Sequence, residues 1–443
     1  MVDFLLHEGV TDLLLNFVTQ IGSRRRPYPH ESDSMELKFS YRFCLILLFQ
    51  SVHFFTELSW FSALNSLQNI FLDFLAAVST RLPEQCLMLV HFDLTQIDRL
   101  VQVFREDSAG SFYHAARVIE TLLRILPSEV YSALVSDGQL KERMKRLLRY
   151  IGYPPVGDLL VLLVGLNPFP RSSPAPAARW KFFQTLSDWV FLLRLSEIVV
   201  RPSEFCLTSE YISSEQHSSA AAQTLSEIVE KLSNDDMGEL LLQPLGYSAT
   251  LIESFFQEAT RSDVDSTSIT CQRSCLKFLS FLLKKSGNDK NVIYLSGGPS
   301  NPPVPTSIPN RLYPLRGMII DLFLNNFFVL ETALIGTASP NDSVPVSHPG
   351  HSCSIPFSSY RTQLVELLVL IVEASPSIAQ NLSIDLLKLL ISWNFEYSHN
   401  NIYHSSFYKL IFAILRSVFI FPTSHSGLSP LFRLSIDKMT KPH

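Results

Sequence analysis

The stretch "LKERMKRLLRYIGYPPVGDLLVLLVG", residues 140–165, decides how the chain is read. Its first half places Leu140, Met144, Leu147, Leu148 and Ile151 at the spacing of one helical face. Lys145, Arg146 and Arg149 fall in the last turns, where cations meet the negative end of the helix dipole. Gly152 then offers the left-handed conformation that commonly stops a helix. Pro154 and Pro155 suit the entry of a second helix, where a missing N–H is harmless. Asp158 is read in the opening turn of that helix, at the end that favours a carboxylate. The second segment is apolar nearly all round, which predicts an inner helix. The broken place is a hairpin corner.

The same spacing recurs at Val10, Leu14, Phe17, Val18 and Ile21. It returns at Ala221, Leu225, Ile228, Val229 and Leu232, and again at Cys271, Cys275, Phe278, Leu279 and Leu282. Further helices are expected over 36–56, 59–80, 94–106, 111–126, 179–199, 248–260, 312–334, 359–373, 377–392 and 401–420. No long stretch alternates with period two, so strands are not needed. Helical hairpins of this kind cannot bury both faces alone and must stack on neighbours. The expected class is all-α, an irregular HEAT/armadillo-like helical-repeat solenoid, because the irregular spacing argues against a strict-period array. Pro/Ser-rich breaks at 22–34 and 167–178 separate helices. The longest break, 286–310, is expected to be a mobile loop. These breaks divide the chain into repeats over 1–285, the loop 286–310, a helix over 311–335, a loop over 336–358, repeats over 359–430 and a tail over 431–443.

Composition supports a folded, core-rich chain, with 47% hydrophobic residues, 32 Phe and only 16 Gly among 443 residues. A net charge of −5 gives no overall electrostatic footprint for nucleic acid, and no nucleic-acid partner is expected. Cys44, Cys86, Cys206, Cys271, Cys275 and Cys353 are scattered and form no CxxC pair, which fits a reducing compartment. The opening "MVDFLLHEGVTDLLLNF" has acidic residues where a secretory or mitochondrial presequence needs basic ones. The longest apolar runs fall short of the roughly 18 residues a membrane span needs, so no span is expected.

Catalytic signatures are not found: there is no HExxH, GxSxG, Walker-type loop or GxGxxG. The Gly pair in "YLSGGPSNPP" follows no predicted strand and opens no helix directly, so a flexible loop is preferred to a phosphate cradle. Cys271 and Cys275 could face one metal, yet they begin an apolar stripe and read as core. His348, His351, His399 and His404 are the densest histidines; without a carboxylate or cysteine at fixed offset, surface or capping roles are preferred to zinc. Arg24, Arg25 and Arg26 read as a solvated loop cluster. No metal or cofactor is expected.

The wording of residues 140–165 resembles a hairpin of the SAPS-domain family, regulatory subunits of protein phosphatase six-type enzymes. Ile151, Gly152 and the triplet Asp158-Leu159-Leu160 carry that resemblance, and "FYHAARVIETLLRILPSEVYSALVSDG" is similar to the element before it. Downstream, "SSAAAQTLSEIVEKL" is similar through Ala221, Gln223, Thr224, Leu225 and Ile228, with Ala220 in place of the family's asparagine. "YRTQLVELLVLIVEA" follows, and "FEYSHNNIYH" matches at Asn400, Asn401 and His404, with His399 replacing a tryptophan. "MVDFLLHEGVTDLLLNFVTQI" is similar to an early family helix. The echoes keep the family's order.

The resemblance implies a regulatory subunit without chemistry of its own. It would bind a serine/threonine protein phosphatase catalytic subunit, and further regulatory proteins, in the cytoplasm or also the nucleus, and direct substrate choice or location. Ile151, Gly152, Asp158, Gln223, Asn400, Asn401 and His404 are then structural joints or rim contacts, with joints preferred because helices turn there. A generic armadillo/HEAT-type adaptor for other protein partners is the alternative. An enzyme would need polar groups, such as Asp158 with a distant histidine, converging in one pocket.

Overall fold

A computed structural model describes residues 97, 100–105, 112–169, 176–206, 213–247, 249–261, 266–295, 304–338, 346–348, 351–353 and 355–420. The expected helices over 36–56 and 59–80, the stripe from Val10, the Arg24–Arg26 cluster and the 431–443 tail lie outside the described residues. What is described is overwhelmingly helical, and the chain divides into two compact units at Pro244/Leu245.

The N-terminal unit contains α1 (Phe112–Ile125), α2 (Pro127–Val135), α3 (Leu140–Arg149), α4 (Pro154–Gly165), α5 (Ala177–Asp188), α6 (Phe191–Val200) and α7 (Ser214–Leu232). A single-turn helix, Pro202–Phe205, lies before α7, and α8 (Gly238–Tyr247) runs across the division. α4 packs against both α1 and α7, α6 against α7, and α5 against α2 and α3. The quoted stretch folds as its pattern demands: Leu140, Met144, Leu147, Leu148 and Ile151 are all buried, and α4 buries seven of its twelve residues. The Ala221–Leu232 stripe of α7 is buried along its whole length. A capping box starts α7, with Ser213 Oγ accepting from Gln216 N and Gln216 Oε1 accepting from Ser213 N.

One helix was expected over 179–199, and two are found. Val190 takes a left-handed φ of 55° between them. A straight continuation of the face of Phe182, Phe183 and Leu186 would bring Val190 and Leu193 inward. The turn instead buries Phe191, Leu192 and Leu195. No Gly or Pro marks the place, so the sequence carries no breaker signal there.

The C-terminal unit contains α9 (Ala249–Ala259), α10 (Ser266–Lys285), β1 (Lys290–Leu295), β2 (Val304–Pro309), α11 (Leu315–Asn325) and α12 (Phe327–Gly336). There follow β3 (Val346–His348), β4 (His351–Cys353), α13 (Ser359–Ala374), a 3-10 helix (Pro376–Asn381), α14 (Ile384–Glu396) and α15 (Asn401–Ile420). α10 packs on α9 and α13, and α13 on α15. The stripe Cys271, Cys275, Phe278, Leu279 and Leu282 is buried.

Several expectations are corrected in this unit, among them the helix expected over 377–392, which is a 3-10 helix (Pro376–Asn381) followed by α14. The segment 286–310 contains a six-pair antiparallel hairpin, β1–β2, and the 336–358 segment contains the shorter hairpin β3–β4. Their Pro/Gly/Ser-rich composition reads as loop because backbone pairing, and not an apolar face, defines them. The helix expected over 312–334 is broken at Asn326, with α11 and α12 bent by 62°. At the break the Asn326 backbone N–H and its side-chain amide both donate to Leu322 O, at 3.1 and 2.9 Å, closing the end of α11. Among the described residues no single helix is long and apolar enough to cross a membrane.

Candidate functional site

The α3–α4 corner is secured from a distance. Ile151 is fully buried, and the Gly152 backbone N–H donates to Nδ1 of His217 at 3.0 Å. His217 is itself fully buried in the first turns of α7. An acceptor at Nδ1 fixes the uncharged ring with its proton on Nε2. Gly152 does not take the left-handed conformation expected of it; Gly138, before α3, is the described glycine with positive φ, at 71°. The corner is closed by successive turns, Ile151 N to Leu148 O and Tyr153 N to Tyr150 O, so it needs no left-handed residue.

From that corner α4 runs close against α7. A Cβ on Gly157 would come within 3.0 Å of Thr224 Oγ1, and one on Gly165 within 2.5 Å of Lys231 Cδ. These two glycines, eight residues apart on one helical face, let the backbones approach. Their spacing in "PPVGDLLVLLVG" was the available signal, and the buried His217 beside an alanine run was another.

Asp158 and Gln223 line the outer rim of the same seam. Asp158 is the fifth residue of α4, past the first turn where it was expected, and its side chain is exposed. Partial desolvation, followed by Glu227 and Glu120, raises its carboxyl above the ordinary range, while Arg117 opposes this. Gln223 is exposed and donates from Nε2 to Glu227 Oε1 at 3.0 Å. Ile151, Gly152, Asp158 and Gln223 therefore meet around one helix seam.

The remaining sequence-derived residues, Asn400, Asn401 and His404, belong to the C-terminal unit. Asn400 Oδ1 accepts from Tyr403 N at 3.0 Å, capping α15, and Asn400 O accepts from His404 N. Asn401 is exposed at the first helical position, and His404 is half-buried with its ring 6.2 Å from that of Tyr403. The cap sits beside an aromatic cluster in which Phe357 meets Trp393, Tyr397 and Tyr403 at ring distances of 5.4, 4.9 and 4.7 Å. Arg361 is buried within it and was missed, because an arginine ordinarily reads as surface.

Cys271 and Cys275 are buried thiols outside any disulfide, and burial pushes the Cys275 thiol well above its usual value. His348 and His351 oppose each other across β3–β4. Among the described residues no group of three or more His, Cys, Asp or Glu side chains could hold a metal ion. The hydrogen bonds at Gly152 and Asn400 hold the chain at two helix corners, one in each unit. A scan against protein-family models finds no match, and comparison with curated proteins likewise finds none.

Proposed function

We propose that the chain is a non-catalytic regulatory or scaffold subunit. It binds a serine/threonine protein phosphatase catalytic subunit and directs its substrate choice or location. With no family-model match, the reading rests on the quoted SAPS-like residues themselves. The observation that carries it is where they fall. In the family's order they occupy the α3–α4 corner, α7 (with Ala221, Thr224, Leu225 and Ile228 on its buried face and Gln223 on its exposed rim), the length of α13 and the cap of α15. Two of these four places, the α3–α4 corner and the α15 cap, are helix joints. The helical pairs are read as layers of an irregular HEAT/armadillo-like solenoid, an architecture whose extended faces suit gripping one protein while recruiting another.

Affinity capture of the full chain from native cells at moderate salt tests this reading. Recovery of a serine/threonine phosphatase catalytic subunit supports it. Reproducible recovery of other proteins without that subunit overturns it in favour of a general adaptor.

A further inference from the structure

We infer that the outer edge of β1 is a docking site for an extended acidic peptide, which adds to the β1–β2 hairpin as a third strand. This inference does not rest on the phosphatase reading. The hairpin is firmly rooted: Asn310 is buried, its Nδ2 donates to Lys285 O and Asn288 O at 2.7 Å each, and its backbone N donates to Asp289 O at 2.8 Å. The last bond makes Asp289 and Asn310 a hydrogen-bonded pair, which sets the phase of the ladder. Asn291/Ile308, Ile293/Thr306 and Leu295/Val304 are then the bonded pairs, while Lys290/Pro309, Val292/Ser307 and Tyr294/Pro305 direct their backbone groups outward.

The two edges consequently differ. On β2 the outward positions are Pro305, Ser307 and Pro309, and proline has no N–H, so Ser307 is the one possible donor. On β1 the outward positions are Lys290, Val292 and Tyr294, which present three donors and three acceptors. The sheet has no third strand among the described residues, and Val292 at the centre of the open edge is 61% exposed. Such an edge is a template for strand addition.

Charge selects the occupant. Residues 266–317 carry Arg273, Lys277, Lys284, Lys285, Lys290, Arg311 and Arg316 against the single acid Asp289, in a chain of net charge −5. Several of these gather where the hairpin is rooted. Lys284 and Lys285 are exposed at the end of α10, Lys290 is exposed at the first position of β1, and Arg316 Nη1 reaches Leu283 O at 3.4 Å. A strand bearing carboxylates meets this positive root; a basic strand is repelled.

The test uses the full chain and a fluorescein-labelled peptide alternating glutamate and valine over about ten residues, read by anisotropy. Binding is expected to weaken about tenfold or more in Val292→Pro, which removes an outward donor and spares the bonds between β1 and β2. Ser307→Pro, which alters the opposite edge, is expected to bind as the parent does. Lys290→Glu and added salt weaken binding, and a lysine–valine peptide does not bind. Should Val292→Pro lower the melting temperature, Lys290→Glu against Lys290→Gln decides through the charge dependence alone. The proposal is overturned if the acidic peptide fails to bind or a serine–valine peptide binds equally. Equal weakening by Ser307→Pro and Val292→Pro also overturns it. So does competition by oligothymidylate that persists in Val292→Pro, which would assign the basic root to nucleic acid.

Discussion

The two units each bury an arginine, and they neutralise it by different means. In the N-terminal unit Arg179 of α5 is 1% exposed and pairs with Asp235, beyond α7. Its guanidinium also reaches Met237 Sδ at 3.2 Å and lies 4.6 Å over the Phe183 ring. Asp235 is anchored in turn, with Oδ1 accepting from Met237 N at 2.9 Å. Tyr131 packs beside them, its hydroxyl donating to Leu163 O, and burial pushes its phenol up to about 12, with Asp235 adding and Arg179 opposing. In the C-terminal unit Arg361 of α13 is 3% exposed, and no carboxylate lies at ion-pair distance among the described residues. It donates to Tyr397 Oη at 3.2 Å and to Thr337 O, with the Trp393 and Phe357 rings at 5.2 and 5.8 Å. The contrast teaches that a core cation can be held by one opposite charge or by several dipoles and ring faces. The first arrangement concentrates the energy in a single partner; the second spreads it.

Removing one partner should expose that difference most sharply. Asp235→Ala leaves the Arg179 charge buried and uncompensated, and a loss of about 3–5 kcal/mol is expected in chemical denaturation. The double variant Arg179→Met/Asp235→Leu should recover most of it. A single-variant loss below about 1 kcal/mol would erase the distinction between the units. Next in size, Arg361→Met removes the cation itself and leaves neutral acceptors behind, so a loss of about 2 kcal/mol is expected. A loss equal to that of Asp235→Ala would show that dipoles alone concentrate energy as a counter-charge does.

The corner at Gly152 sharpens the comparison with an uncharged tether. His217→Ala strands the Gly152 N–H and should cost about 1–2 kcal/mol, whereas Gly152→Ala keeps the donor and should cost less than His217→Ala. Thermal melts of both variants check the order, and the reverse order would restore a conformational role for Gly152. The smallest effect belongs to the rim. The folded-state carboxyl of Asp158 is raised, so its ionised form is disfavoured in the fold near neutral pH. That penalty disappears as pH falls through the raised value and is absent below the unfolded value of about 3.9. Asp158→Asn should therefore stabilise by a few tenths of a kcal/mol near pH 7, discounted for solvent screening, and by nothing near pH 3. Melting curves at the two pH values check both sign and window.

Local features were legible and distant ones were not. The α3–α4 corner was read to within a residue, because its stripe, cations and two prolines all act within a few positions. The conformation of Gly152 was misread, since its hydrogen-bond partner is 65 residues away. The joint at Val190 was hidden because burial of Phe191 and Leu192, and no local breaker, sets it. The β1–β2 hairpin was hidden for the opposite reason: prolines that look like loop residues occupy positions where a strand makes no demand on its N–H. Of the candidate residues, the corner and cap positions were visible as turns, while His217, Arg179 and Arg361 were not, because each is polar and gains its place through packing.

The prolines at 305 and 309 have a consequence for colloidal behaviour. When two copies of this ribbon pair through their β1 edges, the edges left outward are the proline-bearing β2 strands, which offer few donors for a further addition. Growth stops at a finite stack instead of propagating into a fibril. Converting both prolines to donors would restore growth in two directions, and the same segment would then become a seed for fibre formation.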